Sequence, residues 1–122
     1  MNIEHLKENG TDIAVIFSDE KLIFDIQSAF DLAMTVKYET GATKIVINKP
    51  AVCDDFFILS NGMAGEILQK FINYHVKIAI YGDYSHYTSK PLKDFIYESN
   101  NGNDFFFVAT KDEAIQKLTK TQ

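Results

Sequence analysis

The chain has 122 residues, 46% of them apolar and 24% charged, the length and composition of one globular domain. Its net charge is −5 and every strong cation is lysine, so the planar fork with which arginine grips phosphate, carboxylate or guanine is absent. Dispersed lysines in an acidic chain weigh against nucleic acid and against an anionic membrane surface, and no apolar run approaches the roughly 18 residues that cross a bilayer.

The chain opens with a strand-like stretch, Ile3 to Lys7, and a turn at Asn9-Gly10. Asn-Gly marks a hairpin because both residues tolerate positive φ. Ile13 to Phe17 reads as the second strand, and Asp25 is placed to cap the helix that follows. In that helix Ile26, Ala29, Phe30, Ala33 and Met34 keep helical spacing, and Gly41 stops it. Lys44 to Asn48 is a third strand, ended by Lys49-Pro50. Asp54 to Tyr74 is helical for at least its second half, with Met63, Ile67, Leu68, Phe71 and Ile72 as the apolar face. Val76 to Tyr81 is a fourth strand, stopped by Gly82-Asp83. Pro91 begins a third helix that runs to about Ser99, Phe105 to Val108 is a fifth strand, and Thr110 caps a last helix over Lys111 to Lys120.

The order is β-β-α-β-α-β-α-β-α. Continuous apolar strands alternating with helices predict an α/β domain with a mainly parallel mixed sheet covered on both faces, its opening hairpin adding an antiparallel edge. The single cysteine, Cys53, cannot form an internal disulfide, and Met1 to His5 does not read as a secretory leader, so a cytoplasmic setting is expected.

The turn Ser60-Asn61-Gly62-Met63-Ala64-Gly65 at the start of the second helix, in this element order, resembles the STAS fold of sulfate-transporter and anti-sigma-factor-antagonist domains. That resemblance implies a regulatory module with a phosphorylatable serine at the position of Ser60; the family's usual preceding aspartate is Leu59 here. The runs Gly65 to Phe71, Ala79 to Asp83 and Asp94 to Asn100 look like a bacterial family of unknown function, DUF4180, covering nearly the whole chain. That likeness carries no chemistry with it.

The residues themselves narrow the chemistry. Cys53, His5, His75 and His86 show no metal-ligand spacing, no Gly-x-Gly-x-x-Gly or Walker pattern is present, and no cofactor is expected. Cys53 and His86 follow the third and fourth strands and could share a rim, but Cys53 has no nucleophile motif around it and reads better as a small apolar residue. The carboxyl-end rim of a parallel sheet is where α/β domains bind ligands. Asp54, Asp55 and Asp83 are expected there with Asn48, Tyr84 and His86; capping by Asp54 or Asp55 and a turn at Gly82-Asp83 are the structural alternatives. Two functions fit. One is a non-enzymatic regulatory or protein-interaction module, working through Asp54, Asp55 and Ser60 on an unidentified protein partner. The other is a small-ligand binder or minor enzyme using the rim of Asn48, Asp83, Tyr84 and His86. A homodimer is a further possibility, to be decided by an exposed strand edge or apolar helix face.

Overall fold

A computed structural model describes residues 2–121. Five strands form one mixed sheet: β1 (Asn2–Glu8), β2 (Thr11–Phe17), β3 (Lys44–Asn48), β4 (Lys77–Tyr81) and β5 (Phe105–Val108). The helices are α1 (Ile26–Thr40), α2 (Met63–Asn73), α3 (Lys90–Asn100) and α4 (Lys111–Thr119). β1 runs antiparallel to β2, and β2 to β5 are parallel in simple chain order. The α/β class, the five strands and the four helices agree with the sequence pattern.

Chain order dictates the layering. Parallel crossovers are right-handed as a rule, so successive strands added on the same side place their connecting helices on the same face. Ala14, Ile16, Ile45, Ile47, Ile78, Ile80, Phe105 and Phe107 make that face, packed by Ala29, Leu32, Ala33 and Val36 of α1, Ala64, Ile67 and Phe71 of α2, and Leu92 of α3. The helix that follows the edge strand β5, α4, packs over the other face. There Ala114 and Leu118 of α4 cover Ile13, Val15, Val46, Ala79, Phe106 and Val108. The phenylalanines at 56, 57 and 105 to 107 are core residues, all buried.

The caps follow local chemistry. Asp25 accepts from the Ser28 N–H at 2.7 Å, and the Ser28 hydroxyl oxygen accepts from the Asp25 N–H at 3.1 Å, closing a capping box on α1. Gly41 ends α1 in the left-handed conformation at φ 77°. Thr110 caps α4, whose far end is held by the Lys44 ammonium donating to the Leu118 and Thr121 carbonyls at 3.0 Å each.

The expected helix fills the second half of the stretch from Asp54 to Tyr74, and the first half takes another form. Residues 54–57 and 59–61 form separate 3₁₀ turns, and the α-helix begins only at Met63. Gly62, at φ 81°, is the reason: a left-handed residue ends the second turn and starts the helix in a new direction. The Asn61 side chain takes the Met63 N–H at 2.9 Å across this corner. Gly65, in the first turn of α2, faces open space.

Candidate functional site

The carboxyl ends of β3 and β4 and the loops that leave them form a rim. Two shallow depressions lie on it and share Asp54 and His86. One, of about 440 Å³, is also lined by Lys21, Lys49, Gly82 and Asp83. The other is also lined by Phe57, Ile58, Tyr87, Leu92, Thr88 and Ser89. Of the residues expected on the rim, Asp54, Asp83 and His86 therefore do meet. Asp55 lies on a neighbouring cleft with Asp25, Asn61 and Glu66, and Ser60 is exposed on the turn before α2.

Several of these polar groups are already engaged within the chain. Asn48 is 2% exposed, and its carboxamide accepts from the Ser18 N–H at 3.0 Å and donates to the Ser18 carbonyl at 2.8 Å. It extends the β2–β3 ladder by one unit, with a side chain in the role of a peptide. The Tyr84 hydroxyl donates to the Ile80 carbonyl at 2.8 Å, and burial raises its ionisation well above the ordinary tyrosine range. Asp83 accepts from the Ser85 hydroxyl at 2.6 Å and the Ser85 N–H at 2.9 Å. Those bonds, the hydroxyl first, hold its carboxyl below the usual range, helped by the charges of His86 and Lys49.

Beneath the rim is a cluster of rings. Phe57 stacks on Tyr87 with centroids 5.4 Å apart, and Tyr84 lies 5.9 Å from Phe57. The Lys49 ammonium caps the cluster, 4.9 Å from the centres of Phe57 and Tyr87 and 5.7 Å from Tyr84. Its stem runs over Gly82, where an added Cβ would stand 2.6 Å from the Lys49 Cβ. Gly82 is thus a seat for this lysine as well as a turn. His86 lies against Tyr87, centroids 4.2 Å apart.

The shallowness has a topological cause. Deep crevices in open α/β sheets form where strand order reverses and adjacent helices leave on opposite faces. Here strand order runs one way from β1 to β5 without reversal, and the helices that follow β2, β3 and β4 share one face, so no such crevice opens at the ends of β3 and β4. Cys53, half-buried, meets the Met63 sulfur at 3.9 Å and has the surroundings of a small apolar residue. Among the described residues, no group of three or more His, Cys, Asp and Glu side chains is placed to hold a metal.

Ile58 escaped the sequence reading. It is 50% exposed, between the turn bearing Asp54 and Asp55 and the turn bearing Ser60. A signal existed: at helical spacing Ile58 would fall among Asp54, Asp55, Asn61 and Gly62, an apolar residue on a polar stripe.

The family model described as a domain of unknown function, DUF4180, matches residues 8–118. The chain belongs to that family. The match runs from the end of β1 into α4, so the DUF4180 unit takes in the rim and its supporting ring cluster. No curated protein matches the chain. No helix of the described residues is long and apolar enough to cross a membrane.

Proposed function

We propose that this DUF4180 domain is a non-enzymatic regulatory module of STAS-like architecture that docks a protein partner on its rim. The observation that carries the reading is the contrast between engaged and free groups. Asn48, Tyr84 and Asp83, which a catalytic site would need available, bond within the chain. Ile58, Asp54, Asp55 and Ser60 stand exposed on a connection pinned by Asn61, whose side chain donates to the Asp55 carbonyl at 2.8 Å. An exposed isoleucine on the wall of a depression of mixed apolar and polar lining is the anatomy of a docking surface: an anchor inside a polar rim. The partner suited to it carries an apolar side chain flanked by lysine or arginine.

The STAS-like reading draws support from the element order and from Ser60 lying on the turn directly before α2. Phosphate on Ser60 would gain from the positive end of α2 and be opposed by Asp54 and Asp55; intact mass from the native host reads whether it is added. A cytoplasmic setting is consistent with the lone cysteine.

The test is affinity capture from the native host with wild type, Ile58→Asp and the Asp55→Lys/Ser60→Ala double variant. Proteins held by wild type are expected to be lost from both variants, with thermal melting of each close to wild type since all three positions are exposed. An unchanged capture profile would end the proposal.

A second reading has one specific observation behind it. Lys21, Lys49, His86, Asp54 and Asp83 bring cations and carboxylates to one depression, which suits a small zwitterion such as a free amino acid. Thermal-shift screening of amino acids against wild type and Asp54→Ala separates it from the first. A stabilisation lost in Asp54→Ala supports it, and no shift at any concentration rules it out.

A further inference from the structure

The two edges of the sheet are treated differently. Asn100, in the last turn of α3, turns its carboxamide onto β5: Oδ1 accepts the Phe107 N–H at 2.7 Å and Nδ2 donates to the Phe107 carbonyl at 3.0 Å. It fills the outward ladder position at which another strand would pair. β1 is the other edge, seven residues long, and among the described residues no side chain occupies its outer backbone groups.

Which groups point outward follows from the hairpin. A two-residue turn with both residues left-handed, Asn9 at φ 51° and Gly10 at φ 80°, closes on a pair that exchanges both hydrogen bonds, here Glu8 and Thr11. Counting back, Glu8, Leu6, Glu4 and Asn2 bond to β2, while Ile3, His5 and Lys7 direct N–H and C=O away from the molecule. Ser18 verifies the count from the other side. Its N–H and C=O go to Asn48 of β3, so even-numbered residues of β2 face β3 and odd-numbered ones face β1.

We propose that β1 pairs antiparallel with β1 of a second copy about a two-fold axis through His5, joining two five-stranded sheets into one. Pairing must match outward residues with outward residues, which leaves registers centred on Glu4, His5 or Leu6. Centred on Glu4, that carboxylate opposes its own copy. Centred on Leu6, Glu4 opposes Glu8 of the second copy. Only the register centred on His5 uses the whole strand and opposes no acids: Asn2 meets Glu8, Ile3 meets Lys7 and Glu4 meets Leu6 of the second copy. Each His5 has its own Asp12 2.9 Å from Nε2, which offsets charge at the axis. Two-fold pairing uses up both open edges. Because Asn100 blocks β5, head-to-tail growth from β5 to β1 has no second surface, and assembly stops at two.

Solution mass by light scattering, with amide exchange by NMR, tests the assembly. Twice the 13.9 kDa chain mass is expected, with Ile3, His5 and Lys7 amides protected alongside those that bond to β2. His5→Pro removes an outward N–H and spares the β1–β2 bonds, so a folded monomer is expected. As a milder variant, Asn2→Glu opposes Glu8 of the second copy at two symmetric places and should weaken the dimer roughly threefold to tenfold, whereas Asn2→Lys should tighten it. A monomeric wild type, a dimer whose Ile3, His5 and Lys7 amides exchange freely, or equal dimer affinity for Asn2→Glu and Asn2→Lys would each overturn the proposal.

Discussion

Asn48→Asp distinguishes a residue that serves the fold from one that serves the rim. The exchange keeps the bond from the Ser18 N–H but sets a carboxylate oxygen against the Ser18 carbonyl, where the amide donates at 2.8 Å in a buried site. A protonated carboxyl can donate and restore that bond. The folded state therefore holds the proton, and its pKa rises above the ~3.9 of an unfolded aspartate. Losing one buried hydrogen bond and opposing its acceptor costs about 3 kcal/mol at neutral pH. At 1.36 kcal/mol per unit, that corresponds to a shift of about two units and a folded pKa of about 6. Below about pH 4 the proton is bound in both states and the variant approaches wild type. As pH rises from about 4 to about 6 the deficit grows, and above that it is level. Urea unfolding of both proteins across this range gives the difference, and the neutral-pH melting temperature should fall by roughly 10 °C. Asn48→Ala is expected to lose about 2–3 kcal/mol at every pH, since two buried groups of Ser18 lose their partner but nothing titrates. A deficit of Asn48→Asp that is absent at neutral pH, or the same at all pH, refutes the reasoning.

Three further outcomes follow from contacts described above. Gly82→Ala sets a methyl 2.6 Å from the Lys49 Cβ and should destabilise by about 1–3 kcal/mol; Lys49→Ala retains that clash, whereas in a Lys49→Gly background the cost should largely vanish in a denaturation cycle. Tyr84→Phe leaves the Ile80 carbonyl without its donor and should cost about 1 kcal/mol in urea unfolding. Burial raises the Tyr84 pKa, so it resists ionising while the chain is folded: its stabilisation is complete below about pH 10 and lost as pH climbs towards the folded value. Wild type and Tyr84→Phe should thus gain equal tyrosinate absorbance at a pH where the folded proteins persist, and a larger gain in wild type would contradict the burial. Asn100→Ala unplugs β5 and should produce species larger than the parent in light scattering, with about 1–2 kcal/mol lost; an unchanged mass distribution would show that the carboxamide does not guard the edge.

Much of the fold was legible because its signals are local. Asn9-Gly10, Asp25, Gly41 and Thr110 each act within a few residues, and apolar runs such as Ile13 to Ile16 and Phe105 to Val108 have one stable use, as strands buried on both faces. The start of α2 was less legible, since spacing from Asp54 onward is compatible with helix and only the left-handed Gly62 divides it. The convergence of Asp54, Asp83 and His86 on one depression was legible from strand order, since each follows the end of β3 or β4. What pattern could not give was which polar groups stay available. The partner of Asn48 is Ser18, thirty positions away, and that of Tyr84 is a backbone carbonyl. Such pairings depend on register and loop path, which composition and spacing do not encode.

Strands laid down in chain order have a consequence for how the molecule is made. No pairing waits for a distant segment, so each closure spans little more than one helix and its turns, and the entropy spent per step stays small. A chain emerging from the ribosome can add units one after another to the hairpin of β1 and β2, carrying an exposed leading strand forward each time. That strand is a hazard until its successor arrives, and the last strand has none. Asn100 lies upstream of β5, so when Phe107 docks the group that finishes its backbone has already been synthesised.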